Sequence, residues 1–204
     1  TLREYNYHNA ALALGSIGEV SKKQIEADDF YQQGDYAGQN GIELTYEKVL
    51  RGEKGEEILL RDSRGRVKGK YEDGKYDKKP VPGKDIELSL DIELQKYGEE
   101  LMNGKIGSIA AIEPSTGEIL ALVSSPTYDP SMLVGRKRSA NFAALSKDPL
   151  KPLFDRPMMA QYPPGSTFKT AQALVLQQEG IITPTAAYGC QHGFHAGALS
   201  VGCH

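Results

Sequence analysis

The spacing of apolar residues changes several times along the chain and marks out its elements. An apolar run occupies residues 10–14, and Ser21 opens a short helix that reaches Ala27. Residues 35–41 are rich in turn formers. Ile42, Leu44, Tyr46, Val49 and Leu50 predict a short helix over 42–50, stopped by Gly52. Residues 57–61 and 66–71 are β-compatible and are joined by Asp62, Ser63, Arg64 and Gly65, which predicts a hairpin. From 72 to 84 the pattern dissolves into charges around Asp73, Gly74, Pro80, Pro82 and Gly83, so a solvated linker is expected there. It divides the chain into one domain over 1–84 and a second over 85–204.

In the second part, residues 85–90 alternate like a strand, and Asp91 caps a helix whose expected apolar face holds Leu94, Tyr97 and Leu101. Gly104 closes it. Residues 107–113 and 118–124 form the clearest hairpin, turning at Pro114, Ser115, Thr116 and Gly117. Consecutive apolar residues in both strands predict a sheet covered on both faces. A helix over 140–146 and a proline-rich approach over 149–164 follow. Phe168, Ala171, Leu174, Val175 and Gln178 then lie on one side of a helix over 166–178 that ends at Gly180. Most of its faces are apolar, so it is expected to lie deep in the second domain. The mixture of helices and hairpins predicts an α+β fold.

Composition narrows the function. The 204 residues suffice for one or two domains with a real core. With 24 Lys+Arg against 27 Asp+Glu the net charge is -3, which argues against a nucleic-acid partner. Two cysteines are too few for a disulfide scaffold. No run approaches the roughly 18 apolar residues that span a bilayer. The polar opening without Met is expected of a piece of something longer, in which an anchor upstream of Thr1 would be invisible.

Chemistry concentrates in YPPGSTFK, Tyr162 to Lys169. Pro163 and Pro164 stiffen the approach, Gly165 frees the backbone at the turn, and Ser166 falls in the first helical turn. Lys169, three residues on, rises on the same face, which is the arrangement of a nucleophile beside its base. A free lysine titrates near 10.4, so a lysine that accepts protons near pH 7 needs about 4.6 kcal/mol of differential destabilisation of its ammonium form. Burial and the positive end of a helix both act that way; an exposed surface helix does not supply it. The same helix end favours an oxyanion, with the Ser166 backbone N–H as a donor. A bare S-x-x-K arises about once by chance in a chain of this size, because serine caps helices and lysine is common on them. Here it occurs once, directly after Pro-Pro-Gly.

With PLFDRPMMAQ before it from Pro152, this string resembles the first active-site motif of class B penicillin-binding proteins, notably the elongation-type, penicillin-binding protein 2-like members. LGSIGEV from Leu14, GQNGIELTYEKVLRGEKG from Gly38, DSRGRVKG from Asp62 and GSIAAIEPSTGEILALVSSPTYDP from Gly107 follow the family's order. The resemblance implies a small irregular pedestal, or dimerisation-type, domain over 1–84 and the N-terminal part of a serine-transpeptidase (penicillin-binding/β-lactamase-like) domain over 85–204. It implies a peptidoglycan D,D-transpeptidase with Ser166 as nucleophile, Lys169 as base and no cofactor. Stem peptides are the implied substrates, β-lactam antibiotics the acylating inhibitors and cell-elongation proteins of the envelope the partners, at the periplasmic face of the bacterial inner membrane. After Lys169 the chain shows no S-x-N and no K-T-G; Lys169-Thr170-Ala171 is not the third motif. On its own it is therefore expected to lack activity, and to expose apolar surface around the 107–124 hairpin and the Ser166 helix.

Cys190, His192, His195, Cys203 and His204 offer soft ligands for zinc at loose spacing, while Cys190 and Cys203 equally suit a disulfide; both readings stay open. Arg61, Arg64, Arg66, Lys68, Lys70, Lys75, Lys78 and Lys79 alternate with acids and read as solvated charge rather than a phosphate site. Glu113 and Glu118 read as turn charges, not an acid pair. The competing class is a non-enzymatic pedestal that docks envelope proteins. A serine β-lactamase or carboxypeptidase sharing the fold is a third reading and ranks below the transpeptidase, because those enzymes lack the upstream strings.

Overall fold

A computed structural model describes residues 3–187, 189 and 192–202. The chain forms two compact units, Thr1–Ala160 and Gln161–His204, and its elements are an α+β mixture of helices and two-stranded antiparallel sheets.

In the first unit, α1 (Ala11–Leu14) follows Ala10, whose φ of 60° turns the chain left-handed into the helix. Ala11 and Leu12 are buried with Tyr128 and Leu133, so the start of the chain shares a core with residues far along it. β1 (Ile17–Glu19) leads to α2 (Lys22–Ala27), where Ser21 and Gln24 form a reciprocal capping box. The turn-rich reading of 35–41 is corrected: β2 (Tyr36–Gly38) pairs with β1 in the register Ile17↔Gly38. Burial of Ala37 against Val20 and Tyr31 outweighs the local turn preference. The single helix expected over 42–50 is two, α3 (Gly41–Thr45) and α4 (Glu47–Leu50), broken at Tyr46. Glu47 accepts from the Gly38 N–H at 2.7 Å and the Tyr31 hydroxyl at 3.0 Å, which ties α4 to β2.

β3 (Leu59–Arg61) and β4 (Val67–Lys70) form the predicted hairpin; Asp62 Oδ1 accepts from the Arg64 and Arg66 N–H groups at 2.9 and 3.0 Å. The solvated linker over 72–84 is corrected. Glu53 and Val81 exchange backbone hydrogen bonds at 2.8 and 3.1 Å, Glu56 and Lys78 exchange two at 2.9 Å, and the Lys84 N–H reaches Val49 O at 2.9 Å. Gly52 permits this return: at φ 67° any Cβ would sit 2.2 Å from Val81 O.

Residues 85–90 form no strand, although Ser89 Oγ donates to Ile119 O and the Asp91 N–H to Leu120 O. α5 (Ile92–Leu101) begins under the Asp91 cap. Its expected apolar face is corrected. Leu94, Tyr97 and Leu101 are exposed, Tyr97 at 58%, whereas Gln95 and Gly98 are buried against the sheet. Gly98 lets the helix approach closely, since Val123 Cγ2 lies 2.7 Å from where its Cβ would be. β5 (Gly107–Ile112) and β6 (Ile119–Ser125) pair from Gly107↔Ser125 to Ile112↔Ile119. Exposed and half-buried residues alternate along β5, so that strand is covered on one face, whereas β6 is half-buried or buried on both faces from Leu120 to Ser125.

α6 (Arg138–Lys147) brings Arg138 Nε to Ile17 O at 2.9 Å, and α7 (Arg156–Met159) closes the unit. The second unit contains α8 (Phe168–Gln178) and the hairpin β7 (Gly193–Ala196) with β8 (Leu199–Gly202). The expectation that α8 lies deep is also corrected. No residue of it is buried, and Leu174 is 68% exposed, because no described element of its unit covers it.

Candidate active site

Pro163 and Pro164 lead into a 3-10 turn, Gly165–Thr167, opened by Gly165 at φ 58°. Ser166 sits in that turn and Lys169 in the first turn of α8. Thr167 Oγ1 donates to Pro164 O at 2.5 Å and Thr170 Oγ1 to Thr167 O at 2.8 Å, so the flanking hydroxyls are spent on the backbone. The N-terminus of α8 carries no side-chain cap and no acid in its first turn. The Phe168 N–H is taken by the carbonyls of Gly165 and Ser166, so α8 continues the 3-10 turn, and the positive end of the joined helix lies beside Ser166, where it favours developing negative charge. Ser166 and Lys169 are both exposed, and no hydrogen bond joins them among the described residues. The arrangement sets a hydroxyl at a helix start with an amine one turn on; the burial that would make the amine basic near pH 7 is not provided within this unit.

Upstream, the proline-rich approach is an organised loop. Arg156, 6% exposed, points its guanidinium at the carbonyls of Leu150, Lys151 and Phe154. Asp155 beside it is half-buried, and burial raises its carboxyl above the usual range. The sequence carried little sign of Arg156, because its partners are backbone atoms.

Tyr128 is buried with its hydroxyl unpaired among the described residues, and burial, with Tyr5 adding to it, pushes that group up to about 12. Glu113 accepts from Ser115 Oγ at 2.7 Å and its N–H at 3.3 Å, and these bonds hold its carboxyl below the usual range; Glu118 accepts from Thr116 Oγ1 at 3.0 Å. Both are turn chemistry. Arg66 pairs with Asp62, Lys70 with Glu57 and Asp77, and Lys78 with Glu56, so much of the basic stretch is internally neutralised. His195 lies on β7, its Nδ1 3.0 Å from Ser200 Oγ. Cys190, Cys203 and His204 lie outside the described residues, and with them the zinc and disulfide readings. Among the described residues no helix is long and apolar enough to cross a membrane.

Residues 1–88 match the family model of the penicillin-binding protein dimerisation domain, and residues 107–204 that of the penicillin binding protein transpeptidase domain. The peptidoglycan D,D-transpeptidase MrdA of Escherichia coli K12 is 36% identical over 189 residues, covering 89% of this chain and 29% of its own length. The chain thus spans under a third of that curated relative. The crystal structure of Pseudomonas aeruginosa PBP2 in complex with WCK 5153 superposes with a TM-score of 0.77 at 32% identity, over 98% of this chain and 41% of that one. The PBP2 of a PBP2–MreC complex from Helicobacter pylori gives 0.79 at 27% identity, over 98% and 37%.

Proposed function

The chain belongs to the penicillin-binding proteins, carrying their dimerisation domain and the N-terminal part of their transpeptidase domain, and from that membership we propose that it supplies the nucleophile of a peptidoglycan D,D-transpeptidase. Ser166 Oγ attacks the penultimate D-alanine carbonyl of a stem peptide. The Oγ–C bond forms, the bond to the terminal D-alanine nitrogen breaks, and the serine proton passes through Lys169 to the departing amine. An amine of a neighbouring strand then takes the acyl group and releases Ser166. A β-lactam ring, presenting a similar carbonyl, acylates the same oxygen. Lys169 acts as base only once its amine is stripped of water, so substrate closure is part of this reading.

The observation that carries it is the single S-x-x-K, set at an uncapped helix start directly after Pro-Pro-Gly, inside the residues matched by the transpeptidase family. We place the working protein at the periplasmic face of the inner membrane, anchored by an upstream helix and assembled with elongation proteins. The Helicobacter pylori relative bound to MreC, and a second neighbour from a peptidoglycan synthase complex, support such partners. The exposure of Lys169 favours a second reading, in which residues 1–88 dock envelope proteins and catalysis is secondary. Fluorescent penicillin labelling of the full-length natural protein carrying this chain separates the two. A covalent adduct mapped to Ser166 and lost in Ser166→Ala supports acyl transfer; a folded protein without that adduct leaves the docking role.

A further inference from the structure

Within the first unit lies a small cavity of about 140 Å³ whose walls come from distant parts of the sequence. Arg3, Ile17 and Tyr36 form one side, Leu133, Val134 and Arg138 the other, and no acidic residue lines it. Both guanidiniums are held in place. Arg138 Nε donates to Ile17 O at 2.9 Å, and the rest of the group lies against the Gly18 backbone, where a Cβ would stand 2.6 Å from Nη2. Arg3 Nη2 donates to Glu43 Oε2 at 2.7 Å. The other guanidinium N–H groups of both arginines have no acceptor among the described residues. Arg136 and Lys137, exposed on the 3-10 turn that leads into α6, pair with no carboxylate among those residues either.

Positive charge gathered round a cavity without a carboxylate favours the entry of an anion, and apolar walls such as Ile17, Leu133 and Val134 strengthen the attraction by excluding water. A carboxylate is planar and is satisfied by one guanidinium fork; a phosphoryl group is tetrahedral, carries close to two negative charges and offers oxygens to donors on opposite sides. Two forks fixed before the ligand arrives lose little freedom on binding. We propose that this cavity binds a phosphoryl group, gripped between Arg3 and Arg138, with Arg136 and Lys137 extending the attraction outside. The small volume suits the phosphoryl group rather than the body that carries it. Free phosphate and a phospholipid headgroup share this chemistry. The site is independent of the reading of Ser166.

The test is calorimetric titration of the full-length natural protein carrying this chain with inorganic phosphate, pyrophosphate and, separately, a short-chain phosphatidylglycerol below its micelle concentration. Saturable binding with one site is expected. Arg3→Gln and Arg138→Gln each remove charge-assisted hydrogen bonds and should weaken it by about 10- to 100-fold. Val134→Glu keeps both arginines but sets a carboxylate at the cavity wall, and should abolish it. Lys96→Gln, on α5 and away from the cavity, should leave it unchanged. Saturable binding of phosphate or pyrophosphate supports the proposal with a free anion as the source; binding of the lipid alone supports it with a headgroup as the source. No saturable binding of any probe overturns the proposal, as does acetate binding as tightly as phosphate, or an equal loss in Lys96→Gln. Should Arg138→Gln fail to fold without its bond to Ile17, undiminished binding in folded Arg3→Gln and Val134→Glu overturns it alone.

Discussion

Gln95 satisfies both backbone groups of Leu122: its Nε2 donates to the Leu122 carbonyl at 3.1 Å and its Oε1 accepts the Leu122 N–H at 2.8 Å. The side chain is 1% exposed and also donates to Glu99 Oε1 at 2.9 Å. It completes the outer edge of β6 much as another strand would. Gln95→Leu keeps the bulk but orphans two buried groups, so a loss of about 2 to 4 kcal/mol is expected from urea unfolding. A loss within experimental error would mean that water replaces the amide.

The contact between Gly98 and Val123 is steric. Gly98→Ala would set a methyl against the fully buried Val123 and should destabilise by about 1 to 3 kcal/mol, although alanine is the better helix former. Val123→Ala in the same background should recover part of that loss. Additive effects in this double-mutant cycle would rule out the contact.

The Tyr128 hydroxyl is buried without a partner among the described residues. Removing an unsatisfied polar group releases its desolvation cost, so Tyr128→Phe should hold stability or raise it by up to about 1 kcal/mol. Tyr31→Phe, which breaks a 3.0 Å bond to Glu47, should lower it by about 1 kcal/mol. Thermal melts of the pair settle the contrast; a destabilised Tyr128→Phe would reveal a hidden partner.

Asp155 gives a pH signature. Burial raises its folded-state value above the unfolded one, so the folded state holds the proton more tightly. Its contribution is full below the unfolded value, near 3.9, and is lost as pH rises through the folded value. Asp155→Asn should therefore flatten that part of the stability curve and be the more stable form at pH 7. Parallel melts from pH 3 to pH 7 that keep a constant difference would remove Asp155 as the cause.

Local chemistry was the legible part of the sequence. The Ser21 capping box, the Asp91 cap, the Asp62 turn and the 107–124 hairpin each depend on neighbours within a few residues, and YPPGSTFK places its serine and lysine by the same short-range logic. What failed depends on distant backbone. Tyr36 and Ala37 read as a turn until Ile17 and Gly18 pair with their strand. Glu53 and Glu56 find Val81 and Lys78 through peptide groups that leave no mark in side-chain pattern. Apolar periodicity assigned Leu94 and Tyr97 to the core of α5, whereas a polar amide and a missing Cβ fit β6 better. It also took α8 as covered, although periodicity reports the wish for a partner rather than its presence.

Ala11 and Leu12 share a core with Tyr128 and Leu133, Glu99 accepts from the Ala10 N–H at 2.8 Å, and Arg138 reaches Ile17 O. A protease nick between Lys84 and Asp85 would therefore sever the polypeptide without freeing either half. The pieces should co-migrate until denatured, and each expressed alone should seek the other, as complementing fragments do.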